Sequence, residues 1–158
     1  MKITGMSACF AAGLLTATGA ETVYDTTVAI PFSIDGKLYS KAAVANGATP
    51  TSDGDGNAFA TLAASQGCVM LWCLKADGTV GVFQSDIGSL DGSDEFDSAE
   101  LPNFPTYDTE VWVPFAYMVL KNGAAGSTFT FGSSNWNATG MTVAIQDIST
   151  LPSRPQSS

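Results

Sequence analysis

A chain of 158 residues, 45% of them apolar and 13% charged, suits one domain. At that length it can bury about 70% of the surface its unfolded form exposes, so a core needs neither disulfide nor metal. The net charge of −9 and six scattered bases speak against a phosphate-backbone binder or an anionic-membrane adhesin, both of which need clustered Lys and Arg. There is no histidine, which removes the commonest general base, the commonest metal ligand and every Ser-His or Cys-His nucleophile pair. No enzymatic activity is expected, and no catalytic residue, cofactor or metal is assigned.

Met1-Lys2 leads an apolar stretch at residues 3–15, and Ala17-Thr18-Gly19 has the small residues of a signal-cleavage site. Thr4, Gly5, Ser7 and Gly13 interrupt the stretch, which is also too short to span a bilayer. Residues 1–24 are therefore expected to form an extended N-terminal arm that docks on a neighbour. A β domain at 25–150 and a tail at 151–158 follow.

Residues 22–34 are rich in β-branched and aromatic side chains, as strands are. Val28, Ile30, Phe32 and Ile34 alternate with smaller residues and predict one apolar face. Pro31 lacks an amide donor, which points to an edge strand or a bulge. Asp35-Gly36 before Lys37-Leu38-Tyr39-Ser40 predicts a type I′ hairpin. Residues 46–57 are turn-rich and read as an exposed loop, while 58–64 fit either a short strand or one helical turn.

Residues 67–75 are apolar on both faces and predict a central strand. Cys68 and Cys73 stand five apart in it, on opposite faces, and so cannot pair with each other. With Cys9 the cysteine count is odd, which favours buried thiols in a reducing compartment over a disulfide framework. Asp77-Gly78 predicts a second hairpin into 79–83. Residues 86–110 carry eight acidic groups and no base, a solvated and solubilising stretch. Residues 101–107 read as an irregular extended segment. A strand at 111–120 is limited in its pairing by Pro114, and a last strand covers 141–148 before a proline-rich tail. About eight short strands joined by Gly, Pro, Asp and Asn turns predict an all-β fold, a single β-sandwich or jelly-roll-like barrel.

Asp53-Gly54-Asp55-Gly56-Asn57 has the opening of a calcium loop, yet the twelfth position counted from Asp53 is Ala64 where a bidentate Glu belongs. A plain solvated turn is expected instead. Asp91, Asp94, Glu95, Asp97 and Glu100 are carboxylates of the kind a glycosidase pairs, with nothing to place them at a cleft. Phe104, Tyr107, Trp112 and Trp136 are read as core first and as a sugar-binding face second. Trp136, set among Ser, Asn and Gly, is expected to be the least buried of them. Asn137-Ala138-Thr139 has the form of a glycosylation sequon, which matters only in a eukaryotic secretory setting.

Five stretches taken together are suggestive. They are Ile34-Asp35-Gly36-Lys37 with Tyr39, Asn46-Gly47-Ala48-Thr49-Pro50-Thr51, Gln66-Gly67-Cys68-Val69, Phe131-Gly132-Ser133-Ser134-Asn135-Trp136-Asn137-Ala138-Thr139-Gly140 and Leu151-Pro152-Ser153-Arg154-Pro155. Spread over residues 30–155, they give the chain a resemblance to the head decoration (cement) proteins of tailed bacteriophages. The resemblance implies a compact β domain bound to the outer surface of the virion's capsid, where it stabilises contacts between capsomers. The implied partners are the major capsid protein and further copies of the chain, as a dimer or trimer. Candidate contacts on that reading are Phe10, Leu14, Leu15, Phe104, Tyr107, Trp136, Leu151 and Arg154. The competing expectation is a carbohydrate- or receptor-binding β-sandwich module, such as a head fibre or a lectin-like domain, which needs exposed clustered aromatics.

Overall fold

The computed structural model describes residues 5–17, 19, 22–97, 101–148, 152, 154 and 155. Among these residues there is no helix, and the strands run in chain order. The N-terminal half holds β1 (Ala8–Cys9), β2 (Leu15–Thr16), β3 (Val23–Thr26), β4 (Ile30–Ile34), β5 (Lys37–Lys41) and β6 (Val44–Ala48). The rest comprises β7 (Gln66–Leu74), β8 (Val80–Gln84), β9 (Gly88–Ser89), β10 (Val113–Asn122) and β11 (Met141–Asp147). A central sheet in the order β11-β10-β7-β8, with β9 also on β7, faces two three-stranded sheets, β1-β4-β5 and β2-β3-β6. All pairings are antiparallel. The fold is all-β and sandwich-like. It is not a closed barrel, because β8 and β11 stand at opposite ends of the central sheet and do not pair.

β7 explains the layering. Its even residues Cys68, Met70, Trp72 and Leu74 enter one core, and its odd residues Val69, Leu71 and Cys73 enter another. A strand buried on both faces needs two covers. The first core is roofed by Ile30, Phe32 and Ile34 of β4 and by Cys9, Leu15 and Tyr24. Trp72 sits at its centre, edge-on to Tyr24 at 4.9 Å and to Phe131 at 5.8 Å. The second core is covered without a further sheet, by Leu90, Phe96 and Trp112 with Leu101, Phe104 and Tyr107 half-buried over it. In β10 the register on β7 slips between Pro114 and Ala116, leaving Phe115 as an extra residue fully inside the first core. That bulge, at the proline, is how the strand accommodates a missing donor.

Three expectations change. The described part of residues 1–24 is not a free arm: β1 adds to β4, β2 adds to β3, and Cys9, Leu15 and Ala17 are buried. Burying those three side chains against the central sheet outweighs leaving them for a neighbour. Residues 22–34 are two strands, not one, broken at 27–29 where Val28 lies 40% exposed. Asn46 and Gly47 belong to β6 rather than to a loop. Two residues, Ala45 and Asn46, face Asp25 there, and Asn46 adopts φ +52° while its N–H donates to the Asp25 carboxylate at 2.6 Å. Asparagine tolerates this left-handed backbone, so a turn-like sequence makes a bulge within a strand.

Candidate docking face

The sheet β1-β4-β5 is where the chain leaves apolar side chains in solvent. Asp35 at φ +49° and Gly36 at φ +73° form the two-residue turn with left-handed backbone at both positions, as a type I′ hairpin demands. The turn fixes the register, pairing Ile34 with Lys37, Ser33 with Leu38 and Phe32 with Tyr39. β1 extends the rungs, with Ala8 beside Ser33 and Cys9 beside Phe32. Phe10 N–H then donates to the Pro31 carbonyl at 2.9 Å. Neighbours across a rung share a face, so Cys9, Phe32 and Tyr39 point inward while Ala8, Phe10, Pro31 and Leu38 point outward.

This outer face is open. Leu38 is 77% exposed and Phe10 50%, while Met6, one alternation before Ala8, is 71% exposed. The Met6 carbonyl accepts from the Ser33 hydroxyl at 2.6 Å, which ties that end of the segment to the sheet. Most of the large apolar side chains that the described residues leave exposed are therefore on one small sheet, and single scattered ones would carry no such message. Lys37 and Lys41 stand on the same outermost strand but on the other face from Leu38, paired with Ile34 and Ile30; they are two of six bases in a chain of net charge −9.

Other features expected to carry function are committed elsewhere. Trp136 is only 4% exposed: its ring meets Phe131 at 5.5 Å and its Nε1 donates to the Val23 carbonyl at 2.8 Å. Leu15, 3% exposed, is core as well. Phe104 and Tyr107 are half-buried, set against Tyr117 at 5.1 Å and Phe83 at 6.1 Å. Leu14 is exposed with φ +51°, and Arg154 is exposed. Leu151 and Glu100 lie outside the described residues. Of the proposed contacts, Phe10 alone falls on the outer face with Leu38. Met6 and Leu38 escaped sequence reading because an apolar residue in a strand is assigned to the core unless its register is known.

The acidic loops hold their own backbone. The Asp53 carboxylate accepts from the N–H groups of Asp55 and Asn57 and from the Asn57 side chain. Slight desolvation raises the Asp53 pKa, but those hydrogen bonds outweigh it and leave it below its ordinary value. Asp91 accepts from Ser93 and Glu95 N–H groups in the same manner, and these bonds lower its pKa. Among the described residues, no group of three His, Cys, Asp or Glu side chains is placed to hold a metal ion.

A cleft of about 320 Å³ lies between Asp53, Asp55, Gln84, Asp86, Asn103 and Phe104. The Gln84 amide is already paired with the N–H and C=O of Ala60. The thiols are buried: desolvation pushes Cys9 and Cys68 up to about 12 and Cys73 well above its ordinary value, so all three stay protonated and unreactive. Compared with known proteins, the chain matches no family model, no curated protein and no solved structure.

Proposed function

We propose that the chain is a structural decoration protein that binds the outer surface of a phage head and stabilises contacts between its capsomers. The observation that carries this reading is the outward face of β1-β4-β5, where Phe10, Pro31 and Leu38 share one side with Met6 at its end. Apolar burial drives such docking, and a rigid hairpin that presents the side chains loses little entropy on binding. Leu38, Phe10 and Pro31 carry no charge, and the lysines of β5 pair with the inward-facing Ile34 and Ile30, so the face suits an apolar depression on the partner. The resemblance of its turn and strand motifs to head decoration proteins suggests the capsid as partner; the apolar face suggests the means of attachment.

The test is saturable binding of purified protein to undecorated shells, followed by heating of both. Binding that raises the shell's disruption temperature is the expected result. The variant F10S/L38D loses that binding while keeping its own melting temperature, because neither side chain belongs to a core. Absence of binding, or binding with no gain in shell stability, rules the reading out. A carbohydrate-binding module is the second reading, and the cleft beside Phe104 favours it, since its volume is near the lower end for ligand pockets. Retention on a glycan array, lost on Asn103→Ala, would select it.

A further inference from the structure

Each long strand edge in the described fold is managed, except one. At the β8 end of the central sheet, Gly54 N–H donates to the Val82 carbonyl at 3.1 Å and the Gln84 side chain pairs with Ala60, so a loop closes that edge. β5 carries Lys37 and Lys41. β6 is bulged at Asn46. These are the usual ways of blunting an edge. β11 has none of them: Met-Thr-Val-Ala-Ile-Gln runs from 141 to 146 without charge, proline or bulge, and among the described residues it ladders with β10 alone, while β2 touches its far end, where Leu15 N–H donates to the Asp147 carboxylate at 3.1 Å.

The hydrogen-bond phase says which groups face outward. Gly123 N–H donates to the Gly140 carbonyl, and Ile148 N–H donates to the Phe115 carbonyl, both at 2.9 Å. In an antiparallel ladder bonded pairs recur every second residue, so Thr142, Ala144 and Gln146 bond to β10. Met141, Val143, Ile145 and Asp147 therefore turn their backbone groups away from it. The Met141 N–H is already taken by the Ala138 carbonyl at 3.0 Å. Among the described residues nothing bonds to the backbone donor and acceptor that Val143 and Ile145 each turn outward along the strand's centre.

We infer that β11 is the seam of a two-fold dimer, in which the strand pairs antiparallel with β11 of a second copy. A two-fold axis at Ala144 lays Val143 against Ile145 of the second copy, and the reverse. All four outward donors and all four outward acceptors at the seam are then matched. The same axis sets Ala144 against itself and Thr142 beside Gln146 of the second copy. No charge opposes a like charge between 141 and 146, which is what allows two chains of net charge −9 to meet there. The pairing joins two central sheets into one, an isologous contact of the commonest oligomer symmetry. It concerns the free protein and stands whether or not the chain binds a capsid.

Sedimentation of the purified chain over a range of micromolar concentrations tests it. The expected mass is that of a dimer, falling to monomer on dilution. Val143→Pro keeps every β10 ladder bond while removing an outward-facing N–H, at the cost of the Val143 side chain's packing on the first core, and this variant is expected to sediment as a folded monomer at every concentration. A second measurement needs no variant: amide exchange in the unmodified chain. In a dimer the Val143 and Ile145 amides are protected alongside those of Thr142, Ala144 and Gln146, and their protection rises with concentration. A monomeric mass throughout, a V143P variant that remains dimeric, or fast exchange at Val143 and Ile145 at all concentrations overturns the inference.

Discussion

Asn122 shows how much one buried polar side chain can organise. Fully buried at the end of β10, its Nδ2 donates to the carbonyls of Leu62, Ala63 and Ser127, binding the segment before β7 and the turn after β10 to the central sheet. Asn122→Ala leaves those carbonyls without the donor and is expected to cost about 2–3 kcal/mol, measured by chemical denaturation. Asn122→Asp is expected to be worse, since a carboxylate would face the same carbonyls.

The exposed aspartates act in the opposite direction, through acidity. Asp53, Asp77 and Asp91 all have folded-state pKa values below the ordinary 3.8 because backbone N–H groups bond to their carboxylates. A lowered pKa gives stabilisation that is complete above the unfolded value and lost as the pH falls through the folded one. The melting temperature is therefore expected to fall on acidification below 3.8, and D53N/D91N to flatten that part of the profile. An unchanged slope in the double variant would place the acid sensitivity elsewhere.

At the scale of elements, one five-residue loop recurs three times. In residues 53–57, 75–79 and 91–95 the first N–H donates to the fifth carbonyl, and the fourth N–H donates back to the first carbonyl. The fourth residue has positive φ each time: Gly56 at +89°, Gly78 at +82° and Asp94 at +58°. This is a type I turn closed by a left-handed residue, which explains why Gly fills two of the three positions. Asp94 is the exception, and its carboxylate is occupied with the Ala124 N–H at 2.8 Å.

The loops also separate two penalties of replacing glycine. Gly78→Ala meets nothing closer than 3.6 Å and bears only the backbone cost, about 1–2 kcal/mol. Gly132→Ala, at φ +75°, would drive a Cβ into the Pro50 carbonyl oxygen as well. Thermal melts of the two variants are expected to differ severalfold in loss.

What was legible in the sequence follows the same division. The Asp35-Gly36 turn, the doubly buried β7 and the opposite facing of Cys68 and Cys73 were all readable, because they depend on local dihedrals and on a period of two. The outer face with Leu38 and the burial of Trp136 were not. Both are decided by which distant segment lies alongside: β1 for the one, Val23 and Phe131 for the other. The N-terminal segment misled for that reason too, since its weak apolar pattern becomes two short strands only once β3 and β4 are there to receive them.

Across the whole molecule, the central pairing joins residues far apart in sequence. Gln66 meets Asn122 and Leu74 meets Val113, so β7 must wait for β10 across a long intervening chain. Folds dominated by such pairings close slowly, and refolding is expected on the order of milliseconds to seconds, measured by stopped-flow tryptophan fluorescence. A transition finished in microseconds would contradict the topology. Net charge acts at this scale as well. A total of −9 sets separate copies against one another, so it favours any contact between molecules at uncharged patches, the character shared by the outer face at Leu38 and the β11 edge.

The three cysteines make the molecule its own reporter. Cys68 lies in one core and Cys73 in the other, sealed from each other by the sheet between them. A pulse of alkylating reagent marks a thiol only while its layer is open. The ratio of label at the two positions would then record which roof lifts first, the pair of small sheets or the irregular covering segment.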